Sequence, residues 1–164
     1  MNEKMTVGIV GCGNISDIYL QNCQRFPELA LLACADAEPA RAEAKAAEFG
    51  IRALPVTELL ADPAIEIVIN LTPPAAHAAI NLAALEAGKH VYTEKPLAIS
   101  REEGRRTVEL ARARGLRIGS APDTFLGAGL QTCRQLLDAG AIGVPVAATA
   151  FMAGHGPESW HPHP

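Results

Sequence analysis

The stretch Val7-Gly8-Ile9-Val10-Gly11-Cys12-Gly13-Asn14-Ile15-Ser16 decides how the rest of the chain is read. An apolar run enters a Gly-x-Gly loop, which opens directly into a helix-like pattern. Gly11 allows a tight turn from strand to helix. Gly13 lets the backbone approach a pyrophosphate with no side chain in the way. The first turn of the following helix offers free N–H groups and the positive end of its dipole to phosphates. Ser16 stands where a third Gly or Ala usually packs the helix on the sheet. A lone Gly-x-Gly is a weak signal, so the elements around it must carry the reading.

Outward from that turn, strand and helix alternate. Residues 6–10 form a nearly continuous apolar run, as in a parallel strand buried on both faces. Ile15, Ile18, Tyr19, Cys23 and Phe26 recur at helical spacing, which predicts a helix over 14–25 stopped by Pro27. A second buried strand covers 29–35 and ends at Asp36. A helix over 39–49 has Pro39 in its first turn and Gly50 at its end. A short strand at 51–54 and a brief helix to Leu60, capped by Thr57, follow. A fourth strand spans 65–71, a helix 75–87 and a fifth strand 90–93. Ser100-Arg101-Glu102-Glu103 reads as a capping box that starts a helix to about residue 114. A sixth strand covers 117–121. This alternation predicts an α/β fold, a doubly wound parallel sheet of the Rossmann type, over residues 1–122. Beyond Pro122 the pattern changes. One longer helix is expected over 124–139 and a strand over 144–152, as the start of a second α/β unit covering 123–164.

The balance of 14 Lys+Arg against 18 Asp+Glu leaves a net charge of −4. That acidity argues against nucleic acid or an anionic membrane as partner. Apolar runs are strand-sized, so no membrane span is expected, and the N-terminus lacks a signal-peptide pattern. Cys12, Cys23, Cys34 and Cys133 are scattered without a Cys-x-x-Cys pair, which fits buried reduced thiols in a cytoplasmic protein.

Four features stand where a dinucleotide needs them. The glycine turn is the first. Asp36, twenty residues past Ser16 at a strand's end, can accept hydrogen bonds from both adenosine ribose hydroxyls and repel a 2′-phosphate, which favours NAD over NADP. Its plain alternative is a helix N-cap before Pro39. The third is Asn70-Leu-Thr-Pro-Pro-Ala-Ala-His77 at the carboxyl end of the fourth strand, with His77 expected in a first helical turn facing the crevice; a surface histidine is the alternative. The fourth is Thr93-Glu-Lys-Pro96. Lys95 at a strand's carboxyl end can hydrogen-bond a substrate hydroxyl beside a nicotinamide, whereas taken alone Glu94-Lys95 is a solvated charge pair.

Together, Gly11-Cys-Gly-Asn-Ile-Ser16, Asp36, Thr72-Pro-Pro-x-x-His77, Glu94-Lys-Pro96 and Gly140-Ala-Ile-Gly-Val-Pro145 resemble the glucose–fructose oxidoreductase/inositol dehydrogenase/MocA family of NAD(P)-dependent sugar and cyclitol oxidoreductases. The resemblance implies a Rossmann domain followed by an α/β domain on a large open sheet. It carries over Lys95 as the active-site lysine. It carries over Gly11, Gly13, Asn14, Ile15, Asp36, Thr72, Pro73, His77 and Glu94 as cofactor contacts. Family members continue past a Trp near Trp160 into a segment supplying an acid/base His and a substrate-binding Asp. Here the sequence stops at Pro164. The expectation is therefore the cofactor-binding portion of a sugar, polyol or cyclitol dehydrogenase, weakly active or inactive alone. The alternative is a non-catalytic NAD-binding or docking module. Homo-oligomers are expected through the strand at 144–152, whose exposed edge invites pairing. His155, His161 and His163 read as tail residues rather than a metal site, and no metal is expected.

Overall fold

A computed structural model describes residues 4–122, 124–151, 153, 154 and 156. The chain divides into two compact units, Met1–Pro122 and Asp123–Pro164.

The first unit holds six parallel strands: β1 (Met5–Val10), β2 (Leu29–Ala35), β3 (Arg52–Ala53), β4 (Ile67–Asn70), β5 (His90–Thr93) and β6 (Ile118–Ser120). Their spatial order is β3-β2-β1-β4-β5-β6. This is the Rossmann order. The winding direction reverses between β1 and β4, which opens a crevice at their carboxyl ends. Between the strands run α1 (Ser16–Arg25), α2 (Pro39–Phe49), α3 (Val56–Ala61), α4 (Pro74–Glu86) and α5 (Arg101–Ala113).

Helices cover both faces, so the central strands are mostly apolar, with Asn70 and Thr93 as buried polar residues at the ends of β4 and β5. On one face Val10, Leu59, Ile65, Val68, Leu85 and Val91 pack together. On the other Val7, Ile9, Leu20, Cys34 and Ile69 do so. Ile9, Leu20, Leu59 and Leu85 are fully buried. Each such side chain contributes about 1.5–3 kcal/mol. An exposed ion pair such as Arg41–Glu38 contributes roughly 0–1 kcal/mol. The two apolar layers, not the surface charges, hold this unit.

Local signals set most boundaries. Gly50, in the left-handed conformation, ends α2. Ser100 and Glu103 make the reciprocal capping box of α5. Thr57 does not cap α3: it lies within the helix, whose N-cap is Pro55 without a side-chain bond. Helix α1 starts at Ser16 rather than Asn14, because the Ser16 N–H donates to Gly13 O at 3.0 Å and keeps residues 13–15 in a turn.

In the second unit the helix expected over 124–139 is broken. A 3-10 turn, Thr124–Leu126, precedes α6 (Ala128–Asp138), and Gly127 between them is extended. The strand expected over 144–152 is absent from 144–151, which is irregular and exposed, with Val146 at 94%. A strand needs a neighbour for its N–H and C=O groups, and the described residues of this unit contain none. Met152 and the tail histidines His155, His161 and His163 lie outside the described residues. Cys12, Cys23 and Cys34 are buried as expected, but Cys133 on α6 is exposed.

Candidate functional site

The turns that follow β1, β2, β4 and β5 meet at one end of the sheet. Gly11 sets the turn after β1 against the turn after β4. Its φ is +104°, and an added Cβ would lie 2.6 Å from the carbonyl carbon of Leu71 and 2.8 Å from Thr72 N. Only glycine fits both the dihedral and the space. Gly13 is the opposite case, with nothing within 4 Å of an added Cβ. Its surroundings are open where a phosphate must approach. Among the described residues the N–H groups of Gly13, Asn14 and Ile15 make no hydrogen bond, and all three residues are exposed. They are free donors ahead of the positive end of α1. Ser16 takes the third glycine position without disturbing this. It is fully buried, and its Oγ donates to Gly13 O at 2.7 Å.

Asp36 is fixed by two backbone donors. Cys12 N–H reaches Oδ2 at 2.7 Å and Glu38 N–H reaches Oδ1 at 2.9 Å. The N-cap of α2 is Glu38, with no side-chain cap, so Asp36 ties the glycine loop to β2 instead of capping the helix. A cavity of about 320 Å³ lies beside it, lined by Asp36, Ala37, Pro39, Glu43, Leu54 and Pro55 among others. A larger one of about 450 Å³ sits at the opposite end of the strands, beside Arg117 and Ile118, away from these turns. Beneath the glycine loop the Cys12 thiol donates to Ala35 O at 3.5 Å and the Cys34 thiol to Ala42 O at 3.3 Å, and the neighbouring Cys34 thiol, with burial, pushes the Cys12 thiol up.

The turn after β4 is held from below. Asn70 Oδ1 accepts from both the N–H and the hydroxyl of Thr72, at 3.1 and 2.6 Å. Asn70 Nδ2 donates to His77 O and to Asn81 Oδ1, and Asn81 Nδ2 donates to Leu97 O at 3.4 Å. Pro73 is the extended N-cap of α4. His77 does not face the crevice and is no surface histidine: it is 1% exposed, with its ring between the carbonyls of Pro96 and Thr72.

Glu94 is held on both carboxylate oxygens, by Tyr19 OH at 2.7 Å and by Lys95 N–H at 2.9 Å. It makes no ion pair with Lys95 Nζ, and Lys95 is exposed. The Lys95–Pro96 peptide is cis. Asn81 and Tyr19 are the site's unforeseen members, and Asn70 stands in the expected Asn70–His77 stretch without an expected role of its own. Asn70 was visible as a polar residue inside Ile-Val-Ile-Asn-Leu, and Asn81 as the residue four positions beyond His77. Tyr19 read only as part of the apolar face of α1.

Residues 5–121 match the profile of the Gfo/Idh/MocA oxidoreductase family, the NAD-binding Rossmann fold of that family. The chain belongs to this family. Among Gfo/Idh/MocA relatives, inositol 2-dehydrogenase 3 of Saccharopolyspora erythraea is 34% identical over 147 residues, covering 87% of this chain and 43% of that protein. The WlbA dehydrogenase of Bordetella pertussis, solved with NADH and UDP-GlcNAcA, superposes with TM-score 0.80 at 27% identity over 85% of this chain and 42% of that one. KijD10, a 3-ketoreductase of Actinomadura kijaniata solved with NADP and TDP-benzene, gives 0.79 at 30% identity over 84% and 43%. This Gfo/Idh/MocA chain thus spans less than half the length of these relatives. No helix among its described residues is long and apolar enough to cross a membrane.

Proposed function

We propose that this chain is the cofactor-holding part of an NAD-dependent oxidoreductase acting on a sugar, polyol or cyclitol hydroxyl. The observation that carries this is the pairing of free donors with a fixed acceptor. The N–H groups of Gly13, Asn14 and Ile15 stand open at the switch point, one turn from an Asp36 carboxylate aimed by Cys12. The residues fit the group. Donors at Gly13–Ile15 suit a pyrophosphate, and each Asp36 oxygen retains a lone pair for a ribose hydroxyl. Gly11 and Pro73 shape the turns that border it, while Thr72, His77 and Glu94 keep those turns in place. The cofactor, when bound, accepts or delivers a hydride.

Lys95 is exposed and forms no ion pair among the described residues, so its ammonium is available to a substrate hydroxyl and can hold or pass on its proton. Two carboxylates, Asp36 and Glu43, line the adjoining cavity and oppose an added 2′-phosphate. Turnover by the 164-residue chain alone is expected to be slight. A positioned general acid–base partner is worth about 10²–10⁴-fold in rate, and substrate positioning is worth more. The exposed Val144, Val146 and Phe151 support self-association through residues 144–151, and the buried free thiols support a cytoplasmic setting.

Titration of the chain with NADH and with NADPH tests the reading. NADH is expected to bind more tightly. Tighter NADPH binding overturns the choice of cofactor, and binding of neither overturns the proposal.

A further inference from the structure

The His77 ring touches two carbonyl oxygens. Nδ1 lies 2.5 Å from Pro96 O and Nε2 lies 2.7 Å from Thr72 O. A carbonyl only accepts. A neutral imidazole donates from one nitrogen and presents a bare lone pair at the other. In either neutral tautomer a ring lone pair would face a carbonyl lone pair at hydrogen-bond distance. Only the imidazolium donates to both. We infer that His77 is a buried imidazolium, and that its charge ties the Thr72 turn after β4 to the loop after β5 that carries Lys95.

The surroundings set the terms of this. Burial disfavours a cation, and so does the fourth position of a helix, near the positive end of its dipole. Two charge-assisted hydrogen bonds to aimed carbonyls offset them. Thr72 O is aimed because Asn70 Oδ1 fixes the N–H and hydroxyl of the same residue. The β5–α5 loop is fixed at Leu97 O by Asn81. No carboxylate competes for the ring among the described residues. Helix α4 carries no charged side chain before Glu86. Glu94 is taken by Tyr19 and Lys95 N–H, Glu103 is taken by the α5 cap, and Lys95 is exposed. His77 is thus a positioning residue. It touches neither the crevice nor Lys95 Nζ, and acts on both through backbone carbonyls.

The functional half of this inference rests on the proposed cofactor reading; the charge state does not. The test is NMR of the intact chain labelled with 15N and 13C, at neutral pH, with His77 assigned by backbone connectivity. Both ring nitrogens are expected to carry protons. Scalar couplings across the hydrogen bonds are expected from Nδ1 to the Pro96 carbonyl and from Nε2 to the Thr72 carbonyl. A bare ring nitrogen at His77 overturns the charge state, and a missing coupling overturns the tie. His77→Phe removes both donors and is expected to weaken NADH binding about 2- to 10-fold per bond lost. It should also shift the amides of Glu94, Lys95, Leu97 and Ala98. Unchanged amides and affinity in a folded His77→Phe chain overturn the positioning role. If the wild-type chain binds no NADH, the cofactor reading fails while the ring spectrum still decides the charge.

Discussion

The Cys12 N–H donates to the Asp36 carboxylate at 2.7 Å, so the residue between the two loop glycines is bonded to the end of the neighbouring strand. One carboxylate therefore does two things: it shapes the glycine turn and, in the proposed function, receives the ribose. Asp36→Ala removes both. A hydrogen bond to a charged group is worth about 1.5–3 kcal/mol, so NADH affinity is expected to fall roughly 10- to 100-fold or more. The gap between NADH and NADPH should narrow. Calorimetric titration of both cofactors checks this. An Asp36→Ala chain that still prefers NADH by the original margin would remove Asp36 from cofactor selection.

The two loop glycines should respond in opposite ways. Gly11→Ala places a Cβ against the Leu71–Thr72 backbone at a positive φ, and neither neighbour can yield. The strained dihedral alone costs about 1–3 kcal/mol, and the clash adds to it. Urea unfolding should show this loss. Gly13→Ala meets nothing, so its stability should stay within about 0.5–1 kcal/mol of wild type while NADH affinity drops. Equal destabilisation of the two variants would contradict the loop geometry.

Two buried polar residues also separate. Asn81→Ala takes away one acceptor of the Asn70 amide, which is fully buried. An unmet buried donor costs about 1–3 kcal/mol. Thr93 Oγ1, buried and without a hydrogen-bond partner among the described residues, is the reverse case. Thr93→Val keeps the shape and drops the hydroxyl, so it should be neutral or stabilising by up to about 1 kcal/mol. Denaturant midpoints of the pair decide; a strongly destabilised Thr93→Val would reveal a partner for that hydroxyl.

The acid limb of stability has named contributors. The Ala64 N–H, then Arg52, holds the Asp62 carboxyl below its usual range; the Thr6 N–H and hydroxyl do the same for Glu66. A carboxyl whose folded value lies below its unfolded value adds stability above the unfolded value. That contribution is lost as pH falls through the folded one. Unfolding midpoints should therefore decline as pH drops below the ordinary carboxylate range, and Asp62→Asn with Glu66→Gln should flatten the decline. An unflattened curve would place the acid sensitivity elsewhere.

Much of this was readable because the fold repeats one unit. Apolar runs of strand length, each followed by a helical pattern and a Gly or Pro stop, leave few ways to build a parallel sheet. The strands and helices around Gly11, Asp36 and Lys95 lie close to where periodicity puts them. Failures occur where partners are distant in sequence. Tyr19 matters through Glu94, 75 residues away, and His77 through Pro96, 19 residues away. Hydrophobic period cannot report either bond. Residues 144–151 have strand-like composition but no neighbouring strand among the described residues of their unit, and composition alone does not make a ladder. Gly127 falls inside the helix expected over 124–139, and its extended backbone divides that helix.

The thiol under the glycine loop gives the protein an internal gauge. Cys12 is 5% exposed and kept protonated by Cys34 and by burial. An alkylating reagent can reach it only when the loop lifts, whereas Cys133 is exposed. The ratio of the two labelling rates measures how often the loop opens, with no dye or tag added. A ligand seated on Gly13 should slow the Cys12 rate and leave that of Cys133 unchanged.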